Sequence, residues 1–307
     1  MSVLPVEKAT VVAPRGGRRV FVIHNPVAGW RPRRRLLMAL KALARAGVVT
    51  TLETTSRRGD AEMLARRLEP GHYDVLAVAG GDGTINEVAN GLQPGGPPLG
   101  LIPMGTANVL AAEIGLEPRA RDVDAAIATG EARNIHAGRV NGRRFLMMAG
   151  IGFDARVVAR IDPRLKRRLG RAAYVVESLR EIARLRPLIF TFLLDGVPYQ
   201  AAAAVVANGH FYGGRMICAP EARLTDACFQ VCLFEHGGRW NVLRYATALC
   251  LGRLHRLRDV RVVAARRVEI AGPAGEPVQA DGDIVAYLPA IIEIEENALS
   301  LVAPGVF

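Results

Sequence analysis

The chain is poor in the residues that many reaction classes require. It has four serines in 307 residues and no G-x-S-x-G, so a serine hydrolase has no support. Its four cysteines, Cys218, Cys228, Cys232 and Cys250, form no C-x-x-C pair, which fits reduced thiols rather than a disulfide framework or a zinc site. Its six histidines fall into no metal-ligand spacing. His24 ends an expected strand and is read as a satisfied structural histidine. Aromatic residues make up 6% of the chain and none interleaves with the arginines, which argues against a nucleic-acid surface. No stretch approaches the roughly 20 apolar residues of a spanning helix. Met1–Gly17 lacks a signal-peptide core and, with Pro5, Pro14 and Gly16-Gly17, reads as a flexible tail. The expected location is cytoplasmic, with peripheral contact at the inner face of the membrane.

What is abundant is positive charge and apolar mass. Lys and Arg number 40 against 29 Asp and Glu, a net charge of +11, which favours anionic partners. Half of the residues are hydrophobic, enough for two domains.

Strands alternate with helices in the first part. Arg19–His24, Val48–Thr54, Val75–Ala79 and Leu99–Ile102 read as strands. Helices are expected over Arg33–Ala46, with Leu36, Leu37, Leu40 and Leu43 on one face, over Asp60–Leu68, and after Ala107-Asn108 through Ile114. This pattern predicts an α/β domain with a parallel sheet, whose ligands sit at the carboxyl ends of strands. Three loops leave such ends: Asn25-Pro26-Val27-Ala28-Gly29, Gly80-Gly81-Asp82-Gly83-Thr84, and Pro103-Met104-Gly105-Thr106-Ala107-Asn108. They are expected to converge on one site. The second loop runs into a helix carrying Ile85, Asn86 and Glu87. Glycines let main chain approach a ligand, and a helix N-terminus suits phosphate. The loop is neither a Walker A motif nor a dinucleotide fingerprint. Asp82, as a loop acid, is expected to contribute little to the core, so its loss is not expected to unfold the protein.

After about residue 138 the rhythm becomes that of a mostly antiparallel β domain. Strands are expected at 145–149, 188–194, 201–207, 229–234, 260–264, 268–270 and 291–294, and helices at 164–186 and 240–251. Asn141-Gly142 and Asp195-Gly196 are hairpin signals. The expected division is a tail at 1–17, a nucleotide-binding α/β domain at 18–138 with 298–307, and a β-sandwich lipid-substrate domain at 139–297.

Asp281-Gly282-Asp283 places two carboxylates in one turn, either as plain turn chemistry or as a general base with a second acid. Asp281 lies about 200 residues from Asp82, so the two cooperate only if the chain folds back. Asp226, in the loop from Cys218, is a candidate magnesium ligand with main-chain carbonyls; a solvated turn is the alternative. Arg160, Arg164, Lys166, Arg167, Arg168 and Arg171 form a basic run, either a solvated face or one that docks on acidic headgroups.

Nine blocks in order carry a family resemblance over residues 19–304: N-P-V-A-G (25–29), T-S-R-R-G-D-A (55–61), G-G-D-G-T-I-N-E-V-A-N-G-L (80–92), P-M-G-T-A-N-V-L-A (103–111), A-G-I-G-F-D-A (149–155), L-G-R-A-A-Y (169–174), A-N-G-H-F-Y-G-G (207–214), A-P-E-A-R-L-T-D (219–226) and V-Q-A-D-G-D (278–283). The chain resembles the bacterial diacylglycerol kinases and related lipid kinases. The resemblance implies an ATP-dependent kinase acting on a lipid hydroxyl at a membrane surface, with Mg²⁺ as cofactor and a homodimer as an open assembly state. It puts the nucleotide against Asn25, Pro26, Val27, Ala28, Gly29, Thr55, Gly80, Gly81, Asp82, Gly83, Thr84, Ile85, Asn86, Glu87 and Thr106. It makes the acidic turn the proton acceptor, where either Asp281 or Asp283 could be the base and Asp281 is favoured, and it makes Asp226 the metal ligand. It also implies that the last segment returns to the first domain. Four positions depart from the family pattern. Asp283 replaces Glu, Ala227 replaces the glycine of the cation loop, Val109 replaces an acid, and Glu221 replaces Asp. An NAD kinase shares G-G-D-G-T, but its N-x-G-x-x-G-F-L block is missing here. A catalytically inactive lipid-binding regulator is the other alternative.

Overall fold

The structure is a computed structural model that describes residues 17–29, 32–117, 120–162, 171–186 and 188–305. The chain forms two compact units: Met1–Asn134 with Leu299–Phe307, and Ile135–Ala298.

Unit 1 alternates strands and helices: β1 (Arg19–His24), α1 (Pro32–Arg45), β2 (Val49–Thr54), α2 (Asp60–Arg66), β3 (Val75–Gly80), α3 (Asp82–Gly91), β4 (Leu99–Pro103), α4 (Val109–Glu113) and α5 (Ala120–Thr129). The strands lie parallel in the order β2-β1-β3-β4. Leu301, near the end of the last strand, β18 (Ala290–Ala303), pairs in parallel with Leu99 of β4. Every residue of β3 is buried, which is why its sequence is continuously apolar rather than alternating. Ile85 and Val88 of α3 and Leu36 and Leu43 of α1 belong to the core. Leu37, expected on that buried face, is 56% exposed; Leu36, Ala39 and Leu43 form the inward stripe. The order of connection reverses between β1 and β3. Ligands of open parallel sheets bind at such a switch point, outside the carboxyl ends of the strands.

Unit 2 is antiparallel and two-layered, a β-sandwich. It contains β5 (Glu131–Val140, whose first residues belong to unit 1), β6 (Arg143–Phe145), β7 (Met148–Ile151), β8 (Phe190–Leu194), β9 (Val197–Ala201), β10 (Ala203–Ala207) and the short β11 (Phe211–Tyr212) and β12 (Met216–Ile217). There follow β13 (Phe229–Phe234), β14 (Val260–Ala265), β15 (Arg267–Ala271), β16 (Pro277–Ala280), β17 (Asp283–Tyr287) and the first part of β18. Its helices are α6 (Phe153–Arg160), α7 (Arg171–Arg184) and α8 (Arg239–Cys250). One sheet runs β14-β13-β10-β7-β16-β17; in the other β18, β15, β8 and β9 are neighbours and β5 pairs with β18 and β6. Phe145, Phe190, Phe192 and Phe229 fill the core between them, with the rings of Phe145 and Phe229 stacked at 5.8 Å.

Several expected strands change shape for identifiable reasons. The strand expected at 145–149 is two strands, because the N–H groups of Leu146, Met147 and Met148 all turn to the Asp281 carboxylate. The strand expected at 201–207 is split at Ala202, where the chain passes from one sheet to the other. The strand expected at 291–294 extends over 14 residues. Three two-residue hairpins have positive φ at both central residues: Asn141-Gly142 (45°, 88°), Asp195-Gly196 (48°, 85°) and Asp281-Gly282 (48°, 85°). The first two were signalled by sequence; the third explains why glycine follows Asp281. Of the expected helix 164–186, residues 171–184 are helical and 163–170 lie outside the described residues.

Arg139 and Arg144 clamp Glu295 of β18, Nε and Nη2 of each guanidinium donating to the carboxylate at 2.7–2.9 Å. Partial burial raises the carboxyl, but the bonds from Arg144 and Arg139 outweigh it and hold Glu295 down to about 2. A depressed carboxyl stabilises the fold above its unfolded value, and that contribution is lost as pH falls toward the folded one. Glu295→Gln should cost on the order of 2 kcal/mol at pH 7, less than the full shift because the group is partly exposed. The loss should shrink between about pH 4.5 and pH 2. Thermal midpoints of both proteins across that range check this.

Candidate active site

In unit 1 the three strand-end loops come together. The Asn25 main-chain N–H donates to Ala79 O at 2.9 Å, and Asn25 Nδ2 donates to Thr84 Oγ1 at 2.9 Å. Gly29 has φ 72°, and a Cβ there would lie 1.8 Å from Met104 O, so the first loop is pressed on the third. A Cβ on Gly105 would lie 2.7 Å from the Gly81 Cα, so the third loop is pressed on the second. Arg35 of α1 reinforces this layer, Nη2 donating to Pro103 O at 2.7 Å. The helix α3 opens at the centre of the cluster, capped by Gly81 without a side-chain hydrogen bond. The N–H groups of a first helical turn have no partner within the helix and carry partial positive charge. Loops that permit close approach, around such a terminus, can bind a phosphate chain.

Asp82 has a second task. Its Oδ1 accepts the N–H groups of Val109 at 2.7 Å and Leu110 at 3.4 Å. Asn108 stands at the cap position of α4 with φ 48° and no side-chain capping bond; Asp82, 27 residues earlier than Val109, supplies the cap instead. Burial raises the Asp82 carboxyl, opposed by these main-chain donors. The loop acid thus also serves as a cap for a helix remote in sequence.

The remaining nucleotide-side candidates differ in what they can offer. Pro26, Val27, Gly83 and Thr106 are exposed; Ala28, Asn86 and Glu87 are half-buried. Ile85 is 1% exposed and Thr84 is buried, so Ile85 offers a ligand only its main chain. Thr55 is buried and its hydroxyl donates to His24 O at 3.4 Å. His24 is buried with no partner on Nε2, and desolvation lowers its basicity. The expectation of a satisfied histidine is thus corrected.

In unit 2 the acidic turn is built into the sandwich. Asp281 Oδ2 accepts Leu146 N–H at 2.7 Å, and Oδ1 accepts Met147 and Met148 at 3.0 and 3.1 Å. Gly282 N–H donates to Gln279 Oε1 at 2.9 Å, and Gln279 Nε2 donates to Asp154 Oδ2 at 2.7 Å. Tyr212 donates its hydroxyl to Asp154 Oδ1. Burial raises the Asp154 carboxyl, opposed by the Tyr212 and Gln279 bonds; burial and then the Asp154 charge push Tyr212 well up. Asp283 begins β17, half-buried, opposite Ala280. Reading the sequence singled out neither Asp154 nor Gln279. Both lie inside the quoted blocks, at the end of G-F-D and before A-D-G-D, but only the fold joins them.

Asp226 is half-buried, and its N–H donates to Arg223 O at 3.0 Å. Among the described residues no three His, Cys, Asp or Glu side chains cluster as a metal site. Asp226 is an oxygen donor of the right hardness, but it is a single carboxylate. It fits an ion that arrives with phosphate and water ligands rather than one held in a protein cage.

The diacylglycerol kinase catalytic domain model matches residues 19–140, and the YegS C-terminal NAD kinase beta sandwich-like domain model matches residues 147–303. The chain is 31% identical to a diacylglycerol kinase of Bacillus subtilis (strain 168), covering 89% of this chain and 92% of that one. It is 28% identical to a diacylglycerol kinase of Staphylococcus aureus (strain bovine RF122 / ET3-1), over 94% and 93%. A crystal structure of a diacylglycerol kinase from Bacillus anthracis str. Sterne shares the fold, with a TM-score of 0.75 at 23% identity over 94% of this chain and 98% of that one.

The trans cap gives a measurable expectation. Asp82→Ala should lower the thermal midpoint by a few degrees without any ligand, because a lost cap costs about 1 kcal/mol. Asp82→Asn, whose amide oxygen can still accept, should recover most of that loss. Differential scanning calorimetry of both variants decides.

Proposed function

The chain belongs to the diacylglycerol kinase family, and on that premise we propose that it is an ATP-dependent lipid kinase that moves the γ-phosphoryl group to a lipid hydroxyl. The observation that carries the reading is the packing of three glycine-bearing loops around the start of α3, which has no side-chain cap. This arrangement suits the triphosphate. The proposed nucleotide contacts are the main chain of Asn25–Gly29 and Gly80–Asn86, with Thr106 at the exposed rim. Thr55, Ile85 and Glu87 act from behind, by shaping the loops.

In the proposed reaction the lipid oxygen bonds to the γ-phosphorus, the bond to the bridging oxygen breaks, and ADP leaves. The hydroxyl proton passes to the acidic turn. Asp281 is the preferred acceptor, since three main-chain donors fix its carboxylate in one place. Asp283 assists. Asp154 and Gln279 touch no reacting atom in this scheme; they position the turn through Gly282. Magnesium, when bound with the nucleotide, would offset phosphate charge, and Asp226 is the side chain proposed to hold it. Among the described residues no helix is long and apolar enough to cross a membrane. In the proposal, the enzyme is cytoplasmic and meets its substrate at the membrane surface.

The direct test incubates the protein with γ-labelled ATP and either total lipid extract or NAD. Label in a lipid phosphate monoester supports the reading; label in NADP alone contradicts it. A second expectation separates the two acids. Asp281→Asn should lower kcat by about 10² to 10⁴, the usual worth of a general base. It should also lower the thermal midpoint, because an amide cannot accept all three N–H bonds. Asp283→Asn should cost less rate. Rates measured well below both midpoints, with the order reversed, would move the base to Asp283.

A further inference from the structure

Helix α7 of unit 2 is turned inside out. Its two acids are buried along with Ala173, Glu177 at 4% and Glu181 at 1% exposure, while Val175 and Leu179 are 60% and 59% exposed. Arg180 pairs with Glu177 at 3.3 Å, and Arg160 of α6 pairs with Glu181. An amphipathic helix in water normally does the reverse. The next helix, α8, is joined to it: Arg239 Nη2 donates to Ala183 O at 2.6 Å. Trp240, its second residue, is 84% exposed, followed by Leu243 at 37% and, just past its end, Leu251 at 64%. Ile189, shortly after α7, is 55% exposed. Single exposed apolar residues are ordinary, but six on consecutive elements of one unit are not.

The charge among them has one sign. With Glu177 and Glu181 buried, no exposed acid remains in 171–186, and 239–258 contains none. Arg184, Arg186, Arg239, Arg253 and Arg256 are exposed in the same stretches. We infer that the α7–α8 face is a docking surface for an anionic lipid bilayer. An indole and aliphatic side chains enter the headgroup boundary, while arginines reach phosphate from their long stems. A two-fold contact with a second copy would set these arginines against each other, so the face suits a bilayer better than itself. The basic residues Arg164, Lys166, Arg167 and Arg168 precede α7 in sequence and lie outside the described residues. The inference deepens the lipid-kinase reading by naming how the enzyme reaches its substrate, and it rests on that reading for its purpose but not for its test.

The chain has two tryptophans, Trp30 and Trp240, so Trp30→Phe leaves one reporter. Without ATP, its emission should shift to the blue on vesicles of phosphatidylglycerol and phosphatidylcholine, and not on phosphatidylcholine alone. Leu179→Ser with Trp240→Ala should reduce co-sedimentation with the anionic vesicles by on the order of ten-fold. Arg253→Gln with Arg256→Gln, which leaves the apolar groups intact, should reduce it about five-fold per charge at low salt and less at high salt. Unchanged thermal midpoints confirm that each variant folds. Vesicle binding equal to wild type in both double variants overturns the inference, whatever the kinase activity. So does a wild-type dimer by light scattering that Leu179→Ser/Trp240→Ala converts to monomer. Vesicle binding that is lost as expected, in a protein that phosphorylates no lipid, sustains the docking surface and removes the kinase reading instead.

Discussion

Main-chain N–H groups that secondary structure leaves unpaired must find acceptors, and in this protein aspartates remote in sequence supply them. In unit 1, Asp82 leaves its own glycine loop to cap α4. In unit 2, Asp281 gathers three consecutive N–H groups from residues 146–148 and so decides where β6 ends and β7 begins. Asp195 does the same for Arg266 and Arg267. Each carboxylate sits in a tight glycine-bearing turn, and each ties that turn to a segment far along the chain. The loops proposed for chemistry are thus held by the same residues that would take part in it. A single substitution there changes structure and reaction together, and only stability measured beside rate separates them.

Much of the fold was legible because it depends on local pattern. The continuous apolar run of β3 and the alternating strands and helices of unit 1 follow from burial of both sheet faces. Asn141-Gly142 and Asp195-Gly196 marked hairpins because few residues tolerate two successive positive φ values. What escaped was what distance in sequence hides. The length of β18 was invisible because its polar positions, Glu293, Glu295 and Glu296, break the apolar pattern, and their partners are arginines remote in sequence. The inversion of α7 was invisible for a related reason. A helical period says which residues share a face, not which face is turned inward, and Glu177 and Glu181 are buried only because arginines meet them.

The site was legible in its parts rather than in its wiring. G-G-D-G-T, N-P-V-A-G and P-M-G-T-A-N were each identifiable as strand-end loops, and the structure shows the contacts among them. The Asp154–Gln279–Gly282 connection was not, since a buried carboxyl in an apolar segment gives no periodic or spacing signal. Nor does the sequence tell that Thr84 and Ile85 turn into the core of α3 while Gly83 beside them is exposed.

The account depends most on the claim that close contact between the glycine loops forms a phosphate cradle. Calorimetric titration of ATP into the protein and into Gly105→Ala tests it most directly. The added methyl would sit 2.7 Å from the Gly81 Cα, so the two loops must part. Wild type should bind ATP, and the variant should bind it at least about ten-fold more weakly, a change of about 1.4 kcal/mol, with the protein still folded. Equal affinity in the two proteins, or no ATP binding by wild type, would contradict the account.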